Sequence, residues 1–203
     1  MFDIAFTGNE IKGSYNLWLV FISYAVAFFA SFTALDLAER IKESRGTTQN
    51  VWIVGCAFTM GGGIWAMHFT AMLSYQLPLT VTYDIWITLS SLIIAVTFSG
   101  IGFFLVNSGK TFLISNIVKG GVLMGSGVVW MHYTGMAAME ISGSMHYKPG
   151  LFILSSVIAI VASTAALGLF SYFGNKERVK LSLKIVASLI MGIAVFGMHY
   201  AGM

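Results

Sequence analysis

The chain has 203 residues, 57% of them hydrophobic and only 9% charged, with a net charge of +3. Soluble globular proteins carry about 25% charged residues, so this composition excludes a water-covered surface, and a small positive charge with no basic tract excludes a nucleic-acid partner. The single cysteine, Cys56, excludes an intrachain disulfide and a Cys-paired zinc site and reads as a small buried core residue.

Residues 1–14 form an outer N-terminal segment containing Asp3, Glu10 and Lys12, which lacks the basic start of a cleaved signal peptide. Six apolar blocks follow, at 15–37, 51–73, 82–106, 112–138, 150–173 and 181–203. Each has roughly the 20 residues that span the hydrocarbon core as a helix, the form in which a lipid-embedded backbone pairs its own polar groups. Nine of the eleven basic residues fall at alternate junctions: Arg40, Lys42 and Arg45, then Lys110 and Lys119, then Lys176, Arg178, Lys180 and Lys184. Positive charge marks the cytoplasmic side, so the sequence predicts an inner membrane protein with its N-terminus and residue 203 outside. Trp18, Trp52, Trp65, Trp86 and Trp130 read as interface or packing residues, and Asp36 as the partner of a nearby Arg or Lys.

The even blocks share the pattern M-G-x-[GA]-x-x-x-M-H-[FY]-[TA]-[AG]-M, starting at Met60, Met124 and Met191 and placing histidine at 68, 132 and 199. The odd blocks open on Tyr15-Asn16, Tyr83-Asp84 and Tyr147-Lys148, each with a serine eight residues after the tyrosine: Ser23, Ser91 and Ser155. The repeating unit is a helical hairpin, at about 15–73, 82–138 and 147–203. A hairpin returns the chain to its starting side, so the copies are parallel and related by an axis along the membrane normal. The expected fold is an all-α integral membrane domain of six transmembrane helices, arranged as three parallel hairpin repeats about a pseudo-threefold axis.

Each histidine lies about four residues, roughly 6 Å, inside the end of its helix. Polar groups at such depth face a bundle interior or cavity, so His68, His132 and His199 are expected to converge. Met72, Met136 and Met203 follow four residues later on the same face. Met67, Met131 and Met198 stand about 100° round and reach the pocket from its flank. Imidazole suits copper and zinc, and thioether selects soft ions, above all Cu(I); the absence of motif carboxylates or thiolates disfavours calcium, magnesium and Cys-bound zinc. Gly61 to Gly63, Gly125, Gly127 and Gly192 are read as small residues that let the helices approach. His146, in an outer loop, is read as an exposed loop histidine.

Met131-His132-Tyr133-Thr134 gives the resemblance a name: over about residues 15–203 the chain resembles the MHYT domain of bacterial signalling proteins. The first copy departs with Phe69 for Tyr and the third with Ala201 for Thr, while every Met and His is kept. The resemblance implies a bacterial inner-membrane sensor that binds copper through Met and His and senses oxygen, carbon monoxide or nitric oxide. It also implies cytoplasmic GGDEF and EAL output domains that make and degrade cyclic di-GMP. Neither motif is in this chain, so no enzyme activity is assigned to it, and the natural chain is expected to continue through a seventh helix into the cytoplasm. Zinc or haem in place of copper, a copper or small-solute channel, and a membrane metal oxidoreductase remain alternatives. Few polar residues line the inner half of the even helices (Cys56, Thr59 and Ser126), which favours a sensor over a conduit.

Overall fold

The computed structural model describes residues 3–6, 9–10, 13–107, 114–141, 144–176 and 179–203, with the backbone alone for 3–6, 9–10 and 144–146. Lys12, Lys110, Phe112 and Arg178 and the side chain of His146, all used in the sequence reading, lie outside the described residues. In chain order, β1 (Asp3–Phe6), β2 (Asn9–Glu10) and β3 (Ser14–Tyr15) precede α1 (Leu17–Glu43) and α2 (Gly46–Ser74). Then come β4 (Tyr75–Gln76), β5 (Thr82–Tyr83), α3 (Ile85–Asn107), α4 (Ile114–Ala137), β6 (Met139–Glu140), β7 (Ser144–His146), α5 (Pro149–Gly174) and α6 (Leu181–Gly202). All six helices are long and apolar enough to cross a membrane.

The first two tyrosine–polar pairs that open the odd spans prove to be a strand residue followed by a helix cap; in the third, Tyr147 follows β7 and Lys148 makes no side-chain capping bond. Asn16 Oδ1 accepts from the backbone N–H groups of Trp18 and Leu19 at 3.0 and 3.4 Å, and Asp84 Oδ1 accepts from that of Ile87 at 2.8 Å. These bonds satisfy donors that a helix start leaves unpaired. In α5, Pro149 sits in the first turn, where no donor is needed. The strands just before these caps pair antiparallel with the strands after each hairpin, β3 with β4 and β5 with β6. Backbone bonds from Asn16 to Ser74 (2.8 Å) and from Asp84 to Ala138 (2.9 Å) continue each ladder. A third sheet, β2-β1-β7, ties the N-terminal segment to the connection before α5. Strands of two to four residues are too short to show a period of two, so the all-α expectation passed over them.

Helix ends differ from the sequence reading by three residues or fewer except at the turn of the first hairpin, where α2 begins at Gly46 rather than 51. The first helix runs to Glu43 rather than 37, because Leu35, Ala38 and Ile41 continue an apolar stripe that is fully buried. Residues 82 and 83 belong to β5 and not to α3. Large apolar side chains such as Trp18 (77% exposed) and Phe29 (63%) face outward, a surface that hydrocarbon covers and water does not.

Contacts run α1–α2–α3–α4–α5–α6 and back from α6 to α1. One crossing recurs at the same position of the pattern. A Cβ at Gly61 would lie 2.7 Å from the Ala95 carbonyl oxygen and Val96 Cα, one at Gly125 2.6 Å from Ile160 Cα, and one at Gly192 3.3 Å from the Phe28 nitrogen. Each even helix therefore lies backbone-close on the odd helix of the next hairpin, an approach only small residues allow. The odd helices carry buried serines in two registers, Ser23, Ser91 and Ser155, then Ser31, Ser99 and Ser163. The first set bonds the carbonyl three residues back at 2.7, 2.7 and 3.0 Å.

The bundle has two unlike ends. At the end carrying Arg40 and Lys42, the odd helices come together: Gly174 lies on the Ala38 carbonyl, the rings of Phe103 and Phe170 are 4.7 Å apart, and Leu167 and Phe173 are completely buried. At this basic end α6 closes against α1 through Lys184, buried to 7% exposure, whose Nζ lies 2.9 Å from both Asp36 Oδ1 and Glu39 Oε1. Arg40 stands 3.7 Å from the second oxygen of Asp36, so Asp36 pairs as its sequence context implied. Lys184 occupies the repeat position held by Ile53 and Ile117 in the other even helices. Cys56 is fully buried in the core.

Candidate metal centre

Toward the other end of the bundle the even helices bring His68, His132 and His199 together, each no more than 1% exposed. One ring nitrogen from each lies within 4.8 Å of those from the other two. His68 Nδ1 is 2.9 Å from His199 Nδ1 and 3.2 Å from His132 Nδ1. Ring orientation has a local cause. Each imidazole stands edge-on to the aromatic residue that follows it: Phe69, Tyr133 or Tyr200, with ring centroids 5.0, 4.7 and 5.0 Å apart. The other edge of the ring needs a neighbour with no side chain. His68 packs against Gly135 of α4, and His132 against Gly202 of α6, where a Cβ would meet Nε2 at 2.5 Å. These two glycines are the three-after-His positions of the motif, and the sequence reading gave them no role.

The hydrogen-bond inventory of this cluster is incomplete. Each neutral imidazole has one N–H and one lone pair. The two Nδ1 contacts are satisfied only if His68 Nδ1 accepts from both other rings. All three Nε2 atoms remain buried without a partner. Three inward nitrogens from three helices, with no carboxylate or thiolate among them, form a donor set that suits copper or zinc. Two nitrogens about 2.0–2.1 Å from one tetrahedral ion lie about 3.4 Å apart, a few tenths of an ångström more than the two Nδ1 distances that His68 makes.

Met72, Met136 and Met203 form a cluster of their own beyond the histidines, buried to 3%, 0% and 3% exposure. They floor an open cavity of about 470 Å³ bounded by Tyr75, Tyr83 and Met139. Met67, Met131 and Met198 lie elsewhere. Met67 packs in the seam of Ala27 and Ala71, while Met131 and Met198 belong to the main core. The structure thus groups the histidines and the methionines four residues beyond them, and distributes the methionines that precede them through the packing.

The missing hydroxyl of Phe69 is compensated locally. Tyr133 Oη lies 2.9 Å from Ser155 Oγ, joining α4 to α5. In the first copy, Trp65 Nε1 donates to Ser91 Oγ at 3.0 Å and to the Thr88 carbonyl at 3.2 Å, joining α2 to α3. Trp65 is thus more than a packing residue. In the third copy Tyr200 Oη lies 3.2 Å from Ser74 Oγ. Thr59, half-buried, bonds the Gly55 carbonyl of its own helix, and Ser126 is exposed.

The chain matches the MHYT family, described as a bacterial signalling protein N terminal repeat, over residues 61–115 and 125–182. It is 43% identical to the bifunctional diguanylate cyclase/cyclic di-GMP phosphodiesterase MucR of Pseudomonas aeruginosa, over 94% of this chain and 28% of that protein. To the cyclic di-GMP phosphodiesterase NbdA of the same organism it is 37% identical, over 94% of this chain and 24% of that protein. To the signaling protein YkoW of Bacillus subtilis it is 32% identical, over 96% and 24%. The chain spans about a quarter of the length of these relatives. No solved structure is significantly similar to it. The motif-bearing helices, the family match and relatives that align over nearly the whole chain lead to one assignment: this is a multi-pass membrane domain of the MHYT family of bacterial signalling proteins.

Proposed function

We propose that this chain is a sensory membrane domain that holds copper through His68, His132 and His199, near the periplasmic face of the inner membrane. The observation that carries the reading is the convergence of three buried Nδ1 atoms, 2.9 and 3.2 Å apart along two sides, from three helices that repeat one motif. Met72, Met136 and Met203 would supply the adjoining thioethers, which weight the choice toward Cu(I) over zinc. Copper held there offers a one-electron couple and a coordination position for a small neutral ligand such as oxygen, carbon monoxide or nitric oxide. The residues around it exclude water on the core side, orient the rings through Phe69, Tyr133 and Tyr200, and leave the open cavity as the approach. Phe103, Phe170 and Phe173 fill the bundle at the basic end, an arrangement that suits a sensor rather than a conduit. Occupancy would alter how the even helices pack, and the altered packing would bias a cytoplasmic output domain of cyclic di-GMP turnover, the activity named in two of the relatives.

The test is elemental analysis of detergent-purified protein beside the triple variant H68A/H132A/H199A. The variant is expected to bind one equivalent of copper fewer. Unchanged copper refutes the site. Zinc in its place, or a haem absorption band, reassigns the cofactor.

A further inference from the structure

The methionine that opens each copy of the motif has so far had no role. Met60, Met124 and Met191 each lie eight residues before a histidine, which is about 12 Å along the helix toward the basic end. They are 2%, 1% and 6% exposed. All three line one small cavity of about 20 Å³, and Met198 lines it too, so that four of the chain's twelve methionines meet there. The remaining wall is aliphatic except for Ser163.

Two physical points separate this cavity from ordinary packing. Methionine is the most adaptable filler of core gaps, and here four such side chains surround a hole the size of a single atom or water. Water is a poor occupant: a buried water needs two to four polar partners, and this wall offers one hydroxyl. What the wall offers in quantity is neutral, polarisable sulfur. Hard cations would have to lose their hydration shell for no oxygen ligand in return. A soft monovalent cation gains the ligands it prefers.

We propose that Met60, Met124 and Met191, with Met198 at their flank, form a second binding site, distinct from the histidines and specific for a soft monovalent cation, Cu(I) or its surrogate Ag(I). The inference rests on the copper reading above only for the identity of the natural ion. Its donors, cavity and depth in the bundle are its own. The two sites would lie in series along the bundle, nitrogen-rich toward one end and sulfur-only below.

Silver tests it without redox chemistry. The detergent-solubilised full chain, M60L/M124L/M191L, H68A/H132A/H199A and the six-fold variant are titrated with Ag(I), and bound metal is counted after desalting. X-ray absorption reads the ligand shell. The methionine variant is expected to hold one equivalent fewer than the parent, and the six-fold variant one fewer than the histidine variant. The equivalent removed should show sulfur neighbours only. Equal silver in the parent and the methionine variant overturns the proposal. Loss in the methionine variant with none in the histidine variant overturns the copper reading of the histidines and leaves this site standing. Leucine nearly conserves the volume of methionine, and helical circular dichroism with a monodisperse elution profile verifies the fold. The single variant M124L serves if the triple does not fold. It should weaken the sulfur-only site at least tenfold, and unchanged affinity is again a refutation.

Discussion

Gly61→Ala is the most direct probe of how the hairpins meet. The added methyl would lie 2.7 Å from the Ala95 carbonyl oxygen and from Val96 Cα. Carbon atoms rest about 3.5–4.0 Å apart, so α2 and α3 must separate by about 0.8 Å. The obstacle is backbone on a straight helix, which has no rotamer by which to yield. Overpacking of this kind costs about 1–3 kcal/mol, and at about 2–4 °C per kcal/mol for a chain of this size the melting temperature should fall by about 2–12 °C. The adjacent Gly62→Ala is the control, because nothing lies within 4 Å of its Cβ position. There the gain in helix propensity, up to about 1 kcal/mol, should leave the melting temperature level or slightly raised. The assay is thermal unfolding in one detergent, followed by far-UV circular dichroism. Equal melting temperatures for the two variants would show that α2 and α3 do not touch at Gly61, and the ring closure built on that crossing would fall.

Trp65→Phe should lower stability by about 0.5–1.5 kcal/mol through the lost indole bond to Ser91, and adding Phe69→Tyr should recover most of that loss by giving the first copy the hydroxyl that Tyr133 uses toward Ser155. Thermal unfolding of the single and double variants checks this, and no recovery would mean that the two bonds are not equivalent. Lys184→Ile, which restores the residue of the other two repeats, should shift the melting temperature by no more than a few degrees, since Asp36 and Glu39 are partly exposed and can rehydrate. Lys184→Glu places a third carboxylate in the same seam and should lower it far more; similar values for the two would mean that the seam does not depend on charge.

How much of this was legible in the sequence depended on what kind of signal each feature carries. Helix number and the convergence of the histidines were readable, because span length and motif register are one-dimensional patterns. Which imidazole nitrogen points inward was not, because it depends on Gly135 and Gly202 of neighbouring helices and on the aromatic ring that follows each histidine. The burial of Lys184 was also hidden. From its position it read as a junction charge, and its partners Asp36 and Glu39 lie 148 and 145 residues earlier in the chain, on α1. Ser31, Ser99 and Ser163, eight residues after the serines that the sequence reading picked out, escaped notice because no tyrosine–polar pair stands near them to mark the register. Met60, Met124 and Met191 were visible in the pattern but stood two turns from the chemistry that drew attention.

The way the hairpins are joined has a mechanical consequence. Chain passes from one hairpin to the next only at the histidine end, through the stretches 75–84 and 138–148, and there β3–β4 and β5–β6 also clamp each of the first two hairpins shut. At the basic end the described residues of different hairpins touch only by helix packing, as where Gly174 lies on the Ala38 carbonyl, and by side-chain ion pairs. A relative tilt therefore has its fulcrum beside the imidazoles, and the arm is the helix itself: α1, with 27 residues, is about 40 Å long. A tilt of about 3° at the fulcrum carries the far tip through about 2 Å, so a displacement too small to disturb the rings becomes, one membrane thickness away, a step large enough to repack a side chain.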